Sequence, residues 1–154
     1  MARRRLPGDD GSGVEEDRSM KYLLLAYGDQ SNWDTVDVNS PEFIATCKFY
    51  EDLAAELTAT GELLGTEGLA HPALSRTVRR GDGGPVASEG PFAESKEVLA
   101  SFAIIDCDSH DRAMAIAGRI VAAVGDTVEV RPIMAGPDEL RPDDLHRGDL
   151  RPGS

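Results

Sequence analysis

The order of two hydrophobic periodicities is the feature that most constrains how this chain folds. Short apolar or alternating runs indicate strands, whereas apolar residues recurring at steps of three and four indicate helices. Along the chain these patterns occur in the order strand, helix, strand, hairpin, strand, helix, strand. Two helices of this kind cover one face of an antiparallel sheet. The order therefore predicts an α+β sandwich, most simply a ferredoxin-like βαββαβ fold with an added hairpin.

Local signals mark the ends of the first predicted helix and the closure of the second. Ser40 is a typical N-cap, Pro41 suits the first helical position, and Gly61 ends the first helix as a C′ glycine. Gly125 closes the second helix in the same way. Both helices carry an apolar stripe, and Cys47 and Cys107 fall on apolar patterns, which predicts that both cysteines are inert core residues. The first stripe comprises Phe43, Cys47, Tyr50, Ala54 and Leu57, and the second comprises Ala113, Ile116, Ala117, Ile120, Val121 and Val124.

The strand patterns predict a sheet with two apolar faces. A turn at Gly81–Gly84 indicates a hairpin. In the first strand, Leu23, Leu25 and Tyr27 alternate with Tyr22, Leu24 and Ala26, so both faces of the strand are apolar. Because the helices cover only one face, we expect a homodimer packed sheet to sheet. The predicted strands are Met20–Tyr27, Glu62–Leu69, Ser75–Arg80, Glu97–Cys107 and Thr127–Met134.

The two ends of the chain differ in composition from its middle. Residues 1–19 hold few apolar side chains among charges, glycine and proline, which predicts a disordered leader. Glu15-Glu16 can be encoded by a purine run resembling a ribosome-binding site, so Met20 is a candidate natural start. We expect residues 20–136 to form the domain and residues 137–154, rich in proline, glycine and charge, to form a flexible tail.

Composition excludes several function classes. With 28 acidic and 16 basic residues the formal charge is −12, which argues against nucleic-acid binding. No apolar run is long enough to predict a membrane span, and a cytoplasmic location is expected. The 2 cysteines lie far apart and the sequence contains no cluster of Cys or His residues, so neither a metal site nor a cofactor is predicted. The negative charge of the middle region favours either simple solubility or a basic protein partner.

Three segments carry a resemblance to a known family. MKYLLLAYGD from Met20, SEGPFAESKE from Ser88 and VEVRPIM from Val128 together resemble the YCII-related domain, in the branch named for an Asp-Gly-Pro-Phe motif. Glu89 stands where that branch has Asp. The resemblance implies a dimeric ferredoxin-like fold of the dimeric α+β barrel type. Some members are thought to be enzymes with a His–Asp pair whose His lies in the first helix, but this chain has no His between Pro41 and Thr60.

The resemblance also implies that the protein acts with a protein partner. Members of this branch are often encoded beside extracytoplasmic-function sigma factors, which implies an accessory or regulatory function with a sigma factor as partner. The leading hypothesis is therefore a small dimeric ligand-binding or accessory protein. The alternative is a small-molecule enzyme that uses acid–base chemistry.

The candidate catalytic residues lie around the Glu-Gly-Pro-Phe segment. Glu89, Glu94 and Lys96 fall within a few residues of one another. If the two carboxyl groups converge in a dry pocket, one pKa rises and that group can act as a general acid. The alternative is a structural turn at Gly90-Pro91-Phe92 with solvated charges.

Four further residues are candidates for ligand binding, each with a plainer alternative. Tyr27 ends the first strand, where it lies either at the rim of a pocket or in the core. His71 either faces the same pocket or lies at the surface. Phe92 anchors the turn. Arg131 clamps a ligand carboxylate or pairs with Glu129 along its strand.

Trp33 is an aromatic residue in an otherwise polar loop. Such a position predicts a lid or an interface anchor, or else local packing.

Overall fold

A four-stranded antiparallel sheet forms the centre of the molecule, whose structure is a computed structural model describing residues 20–92 and 95–140. The elements, in chain order, are β1 (Met20–Asp29), α1 (Ser31–Thr35), α2 (Pro41–Ala59), β2 (Leu63–Gly68), β3 (Arg76–Gly81), β4 (Gly84–Glu89), β5 (Glu97–Cys107), α3 (His110–Val124) and β6 (Thr127–Pro132), with 3-10 turns at Pro72–Leu74 and Pro137–Leu140.

The strand order confirms the predicted fold class. The sheet runs β2-β5-β1-β6, and β3 pairs with β4 as a separate two-stranded hairpin. With the hairpin set aside, the remaining elements follow the βαββαβ order and the antiparallel pairing of a ferredoxin-like fold. The short helix α1, between β1 and α2, is an addition that the periodicity did not predict.

The helix ends form as their residue types predict. The Ser40 side-chain oxygen accepts a hydrogen bond from the backbone N–H of Phe43 at 3.1 Å, and Gly61, with φ of 83°, follows the end of α2. At α3, Ser109 accepts from the N–H of Arg112 at 3.1 Å, and Gly125 adopts φ of 90°. A side chain at either glycine would strain the backbone, so these two residues fix where the helices stop.

The two long helices pack differently against the sheet. Helix α3 buries four residues and packs along β1, β5 and β6. Helix α2 buries only Leu53 and Leu57, both in its C-terminal half. Cys107 is buried, as predicted, but Cys47 is exposed, so its assignment to the inert core is wrong. The reason is that the N-terminal half of α2 does not reach the sheet.

Two bidentate ion pairs fasten the C-terminal end of α2 to α3. Arg119 of α3 donates to both carboxylate oxygens of Glu56 at 2.8 and 2.9 Å. Arg112 donates to both oxygens of Glu62, just after α2, at 2.8 Å each. The hydrogen bonds from Arg112 lower the pKa of Glu62 below its ordinary value, and those from Arg119 do the same for Glu56. The anchored end of α2 is thus the end nearest its two buried leucines.

No helix among residues 20–92 and 95–140 lies on the opposite face of the sheet. Residues of β1 alternate between buried positions beneath the helices and half-buried positions on the other side. The strand register places Leu23 opposite Ile104, Leu25 opposite Phe102 and Tyr27 opposite Leu99, which makes one apolar surface. We call this surface the helix-free face; it comprises Leu23, Leu25, Tyr27, Leu99, Phe102 and Ile104.

Several expectations fall outside the described residues. These are the leader at residues 1–19, the stretch 141–154 of the predicted tail, and Glu94. In the described ranges, no helix combines the length and the apolar character needed to cross a membrane.

Candidate ligand-binding cavity

A cavity of about 760 Å³ separates the N-terminal half of α2 from the sheet. Its floor is the helix-facing side of β1 and β5, and α3 lines one side. At the deep end it meets the hydrophobic core. The deep lining comprises Leu24, Leu53, Leu57, Leu63, Ile105 and Ile116.

The side chains of the floor explain why this space stays open. On β1 the helix-facing residues shrink from Leu24 to Ala26 to Gly28. On β5, directly opposite, Ala103 pairs with Leu24 and Ser101 pairs with Ala26. Toward Gly28, which marks the wide end of the cavity, the lining side chains of β1 and β5 are therefore small, and close packing against α2 is lost there.

The segment around α1 lines this wide end. Trp33 is half-buried and lines the cavity, as do Val36 and Val38 further along. Asp29, at the end of β1, accepts hydrogen bonds from the backbone N–H of Ser31 at 2.9 Å and from its hydroxyl at 2.8 Å. We call Ser31–Val38 the lid segment. Of the alternatives for Trp33, a position on a lid agrees with this geometry.

A histidine–aspartate pair ties the lid segment to the loop after β2. The Nε2 atom of His71 lies 3.0 Å from Oδ1 of Asp34. Its other ring nitrogen, Nδ1, accepts a hydrogen bond from the backbone N–H of Ala73 at 3.0 Å. A ring nitrogen that accepts from an N–H carries no proton, so Nε2 is the nitrogen that donates to Asp34. Both nitrogens are thereby engaged, and His71 is not among the residues that line the cavity.

Two polar side chains of the cavity, Tyr50 and Asp126, lie at its wide end. The Tyr50 hydroxyl oxygen is buried and has no hydrogen bond to the described residues. Burial raises the pKa of Tyr50, and the nearby carboxylate of Asp126 raises it further. Ser101 partly offsets this rise, although its contact with the hydroxyl falls short of hydrogen-bond geometry. Burial also raises the pKa of Asp126, and the like charge of Glu97 adds to that rise.

Gly28 makes room for the Asp126 carboxylate. A Cβ atom at residue 28 would lie 3.2 Å from Asp126 Oδ1, tighter than most real contacts. A side chain at this position would therefore require the carboxylate to shift by a few tenths of an ångström.

The sequence did not single out Asp126. It lies alone between the glycine that ends α3 and the first residue of β6, and an isolated acid in a short connection usually faces water. Tyr50 was placed on the apolar stripe of α2, but its role as a buried hydroxyl facing a cavity depends on the tertiary structure.

The residues of the Glu-Gly-Pro-Phe segment lie apart from this cavity. Glu89 is exposed and lies 3.4 Å from Arg76 across the hairpin. Phe92 is 74% exposed, and the Arg79 guanidinium sits 5.3 Å from its ring centroid. Lys96 is exposed, and its backbone oxygen accepts from the N–H of Gln30 at 2.7 Å. The catalytic role predicted for Glu89, Glu94 and Lys96 stays a prediction.

Tyr27 and Arg131 lie on the other side of the sheet. Tyr27 belongs to the helix-free face, and Arg131 shares that side because it pairs with Leu23. Arg131 lies 3.3 Å from Glu129, as the plainer alternative for it expected. Lys96 lies next to the Asp29 end of β1, because the residue after it, Glu97, pairs with Asp29. Arg131 pairs with Leu23 near the other end, so the two side chains are separated by roughly 20 Å along the strand. The predicted site residues are therefore not gathered around one cavity.

The remaining titratable groups do not form a metal centre in the described part. Over residues 20–92 and 95–140, no three His, Cys, Asp or Glu side chains come close enough together to hold a metal ion.

The fold and cavity define a class: a small ferredoxin-like α+β domain with a mainly apolar cavity beneath one helix. Comparison of the chain with known families is more specific. The model of the YCII-related domain matches residues 20–136, and the chain belongs to that family. It is also similar to an uncharacterised protein of Rhizobium meliloti (strain 1021), with 32% identity over 127 residues, covering 79% of this chain and 98% of that protein.

Proposed function

We propose that this YCII-related protein is a homodimer that binds a small, largely apolar molecule between α2 and the sheet. The observation that carries the proposal is the cavity itself. Its volume of about 760 Å³ falls within the roughly 300–1,000 Å³ of known small-molecule sites. An apolar lining with a few convergent polar groups is also the usual composition of such sites.

The single tryptophan of the chain offers a direct readout. Trp33 lines the cavity, so an occupant changes its surroundings and its fluorescence. We expect a saturable change in emission when 4-phenylbutan-1-ol, an uncharged apolar probe, is titrated into the full chain.

A cavity-filling variant makes this experiment specific. Ala103→Leu adds volume to the cavity floor and should weaken probe binding at least about tenfold, because the added side chain occupies the probe's space. Ala122→Leu, on the exposed side of α3, is the matched control and should bind as the parent does. Equal binding by Ala103→Leu and the parent would contradict the cavity as the site.

The homodimer part of the proposal is supported by the helix-free face. Six large apolar side chains there are only half-buried in one chain, and a contiguous apolar surface of this kind favours association. Leu25→Glu places a charge at its centre and should convert the dimer to a monomer in light scattering. Met114→Glu, at a position 47% exposed on α3, is the control and should leave the mass unchanged. A parent chain that is monomeric at micromolar concentration would contradict the dimer.

The accessory role extends the proposal to a protein partner. The formal charge of −12 favours a basic partner, and an extracytoplasmic-function sigma factor is the partner that the family resemblance implies, in keeping with the predicted cytoplasmic location. Co-purification from native extract at low salt tests this role. Failure to retain a sigma factor would contradict it and would leave ligand binding unaffected.

The enzyme alternative draws no support from the geometry of the Glu-Gly-Pro-Phe segment. Glu89 is exposed and faces Arg76, and neither residue lines the cavity. A binding function is therefore the better supported of the two.

A further inference from the structure

The charged residues of the cavity wall all have the same sign. Among the described lining residues there is no Lys, Arg or His, and the charged members are Glu51, Glu67 and Asp126. An anionic ligand would meet only like charges at this site. The cavity wall thus favours a cationic or neutral occupant.

Asp126 has no partner of its own in the described part of the chain. It makes no hydrogen bond or ion pair with any described residue, and the like charge of the Glu97 carboxylate acts on it. It is also partly buried at the cavity wall. A partly desolvated carboxylate beside a like charge is stabilised by a nearby cation.

The groups around Asp126 match the donors of an ammonium group. An alkylammonium has three N–H donors and no acceptor. The Asp126 carboxylate, the unpartnered Tyr50 hydroxyl oxygen and the Ser101 hydroxyl can each accept one hydrogen bond. Trp33 and Phe43 also line the cavity, and aromatic faces attract cations.

We propose that the ligand carries a protonated amine on an apolar body, with the amine held by Asp126 at the wide end and the body directed toward the deep lining. This inference rests on the proposed ligand-binding function and specifies the class of ligand. If the ligand is an amine, the site must select for positive charge, which an apolar cavity alone does not do.

Three probes that share one body test the head-group preference. They are 4-phenylbutylamine, 4-phenylbutan-1-ol and 4-phenylbutyrate, which at pH 7 are cationic, neutral and anionic. Titrations monitored by Trp33 fluorescence and checked by calorimetry should give the amine at least about tenfold tighter binding than the alcohol. The acid should bind most weakly.

The variant Asp126→Asn keeps the shape and removes the charge. We expect it to weaken amine binding about tenfold and to leave alcohol binding within about twofold of the parent. Asp82→Asn, in the exposed hairpin turn, is the matched control and should change neither. Alcohol binding also reports that each variant is folded and that its cavity is open.

The outcomes separate the two proposals. If the alcohol binds and the amine binds no tighter, or if Asp126→Asn leaves amine binding unchanged, the amine inference is wrong and the cavity remains a ligand site. If none of the three probes binds, the proposed function itself is wrong and the inference fails with it.

Discussion

Helices α2 and α3 lie on the same side of one sheet, yet only α3 is seated on it along its length. Helix α3 buries Ala113, Ile116, Ala117 and Ile120, whereas α2 buries two leucines near its C-terminal end. Both helices carry apolar stripes of similar spacing in the sequence. The difference arises from what each stripe faces: α3 faces branched side chains, while the N-terminal half of α2 faces alanine, serine and glycine. An apolar stripe therefore indicates which side of a helix turns inward, and the opposing side chains decide whether the space is filled.

The largest expected difference in stability is between two truncation variants, one in each long helix. Ile116→Ala removes a fully buried side chain from α3 and should lower the free energy of unfolding by about 3 kcal/mol. Phe43→Ala truncates a half-buried residue over the cavity and should cost less than about 1 kcal/mol, because its side chain borders open space. Urea denaturation of both variants measures the difference. Similar losses for the two would show that α2 packs as tightly as α3.

A smaller effect concerns the ion pair that holds the end of α2 near α3. Glu62→Gln should lower the free energy of unfolding by about 1 kcal/mol at pH 7, since the pair is only partly shielded from solvent. Arg112 lowers the pKa of Glu62 in the folded state, so the pair's contribution is complete above the unfolded pKa of about 4.3. It is lost as the pH falls through the lower, folded value.

Denaturation across pH checks that sign. The difference between the parent and Glu62→Gln should shrink as the pH is lowered below about 4. Asp52→Asn, which removes an exposed partner of Lys48 on α2, is the control and should show little effect at any pH. A difference that grows on acidification would contradict the assignment.

The smallest effect on stability is expected at the lid segment. His71→Ala removes the contact with Asp34 and should change the free energy of unfolding by less than about 1 kcal/mol, because the pair is exposed. It should nevertheless increase quenching of Trp33 by acrylamide and accelerate probe release a few-fold, since the lid loses one of its attachments. Unchanged quenching and release would show that Asp34 and His71 do not restrain the lid.

The fold was largely predictable from the sequence because its signals are local. Ser40, Pro41 and Gly61 set the bounds of α2 through backbone chemistry, and the alternation in β1 showed two apolar faces before any pairing was known. These features depend on residues within one turn or one strand of each other.

The candidate site was less predictable because it depends on distant residues. Nothing near Cys47 in the sequence shows that Ala103 and Ser101 lie on the floor below α2 and leave a space. Asp126 becomes notable only when the fold places it beside Tyr50 and Gly28. The motif-based prediction instead emphasised Glu89 and Lys96, which the fold leaves exposed.

A crystal structure of the full chain soaked with 4-phenylbutylamine tests the central claim most directly. We expect density for the probe between α2 and the sheet, with its nitrogen within hydrogen-bond distance of Asp126 and its ring toward Leu53 and Ile105. A structure in which α2 lies directly on β1 and β5 with no space between them would contradict it.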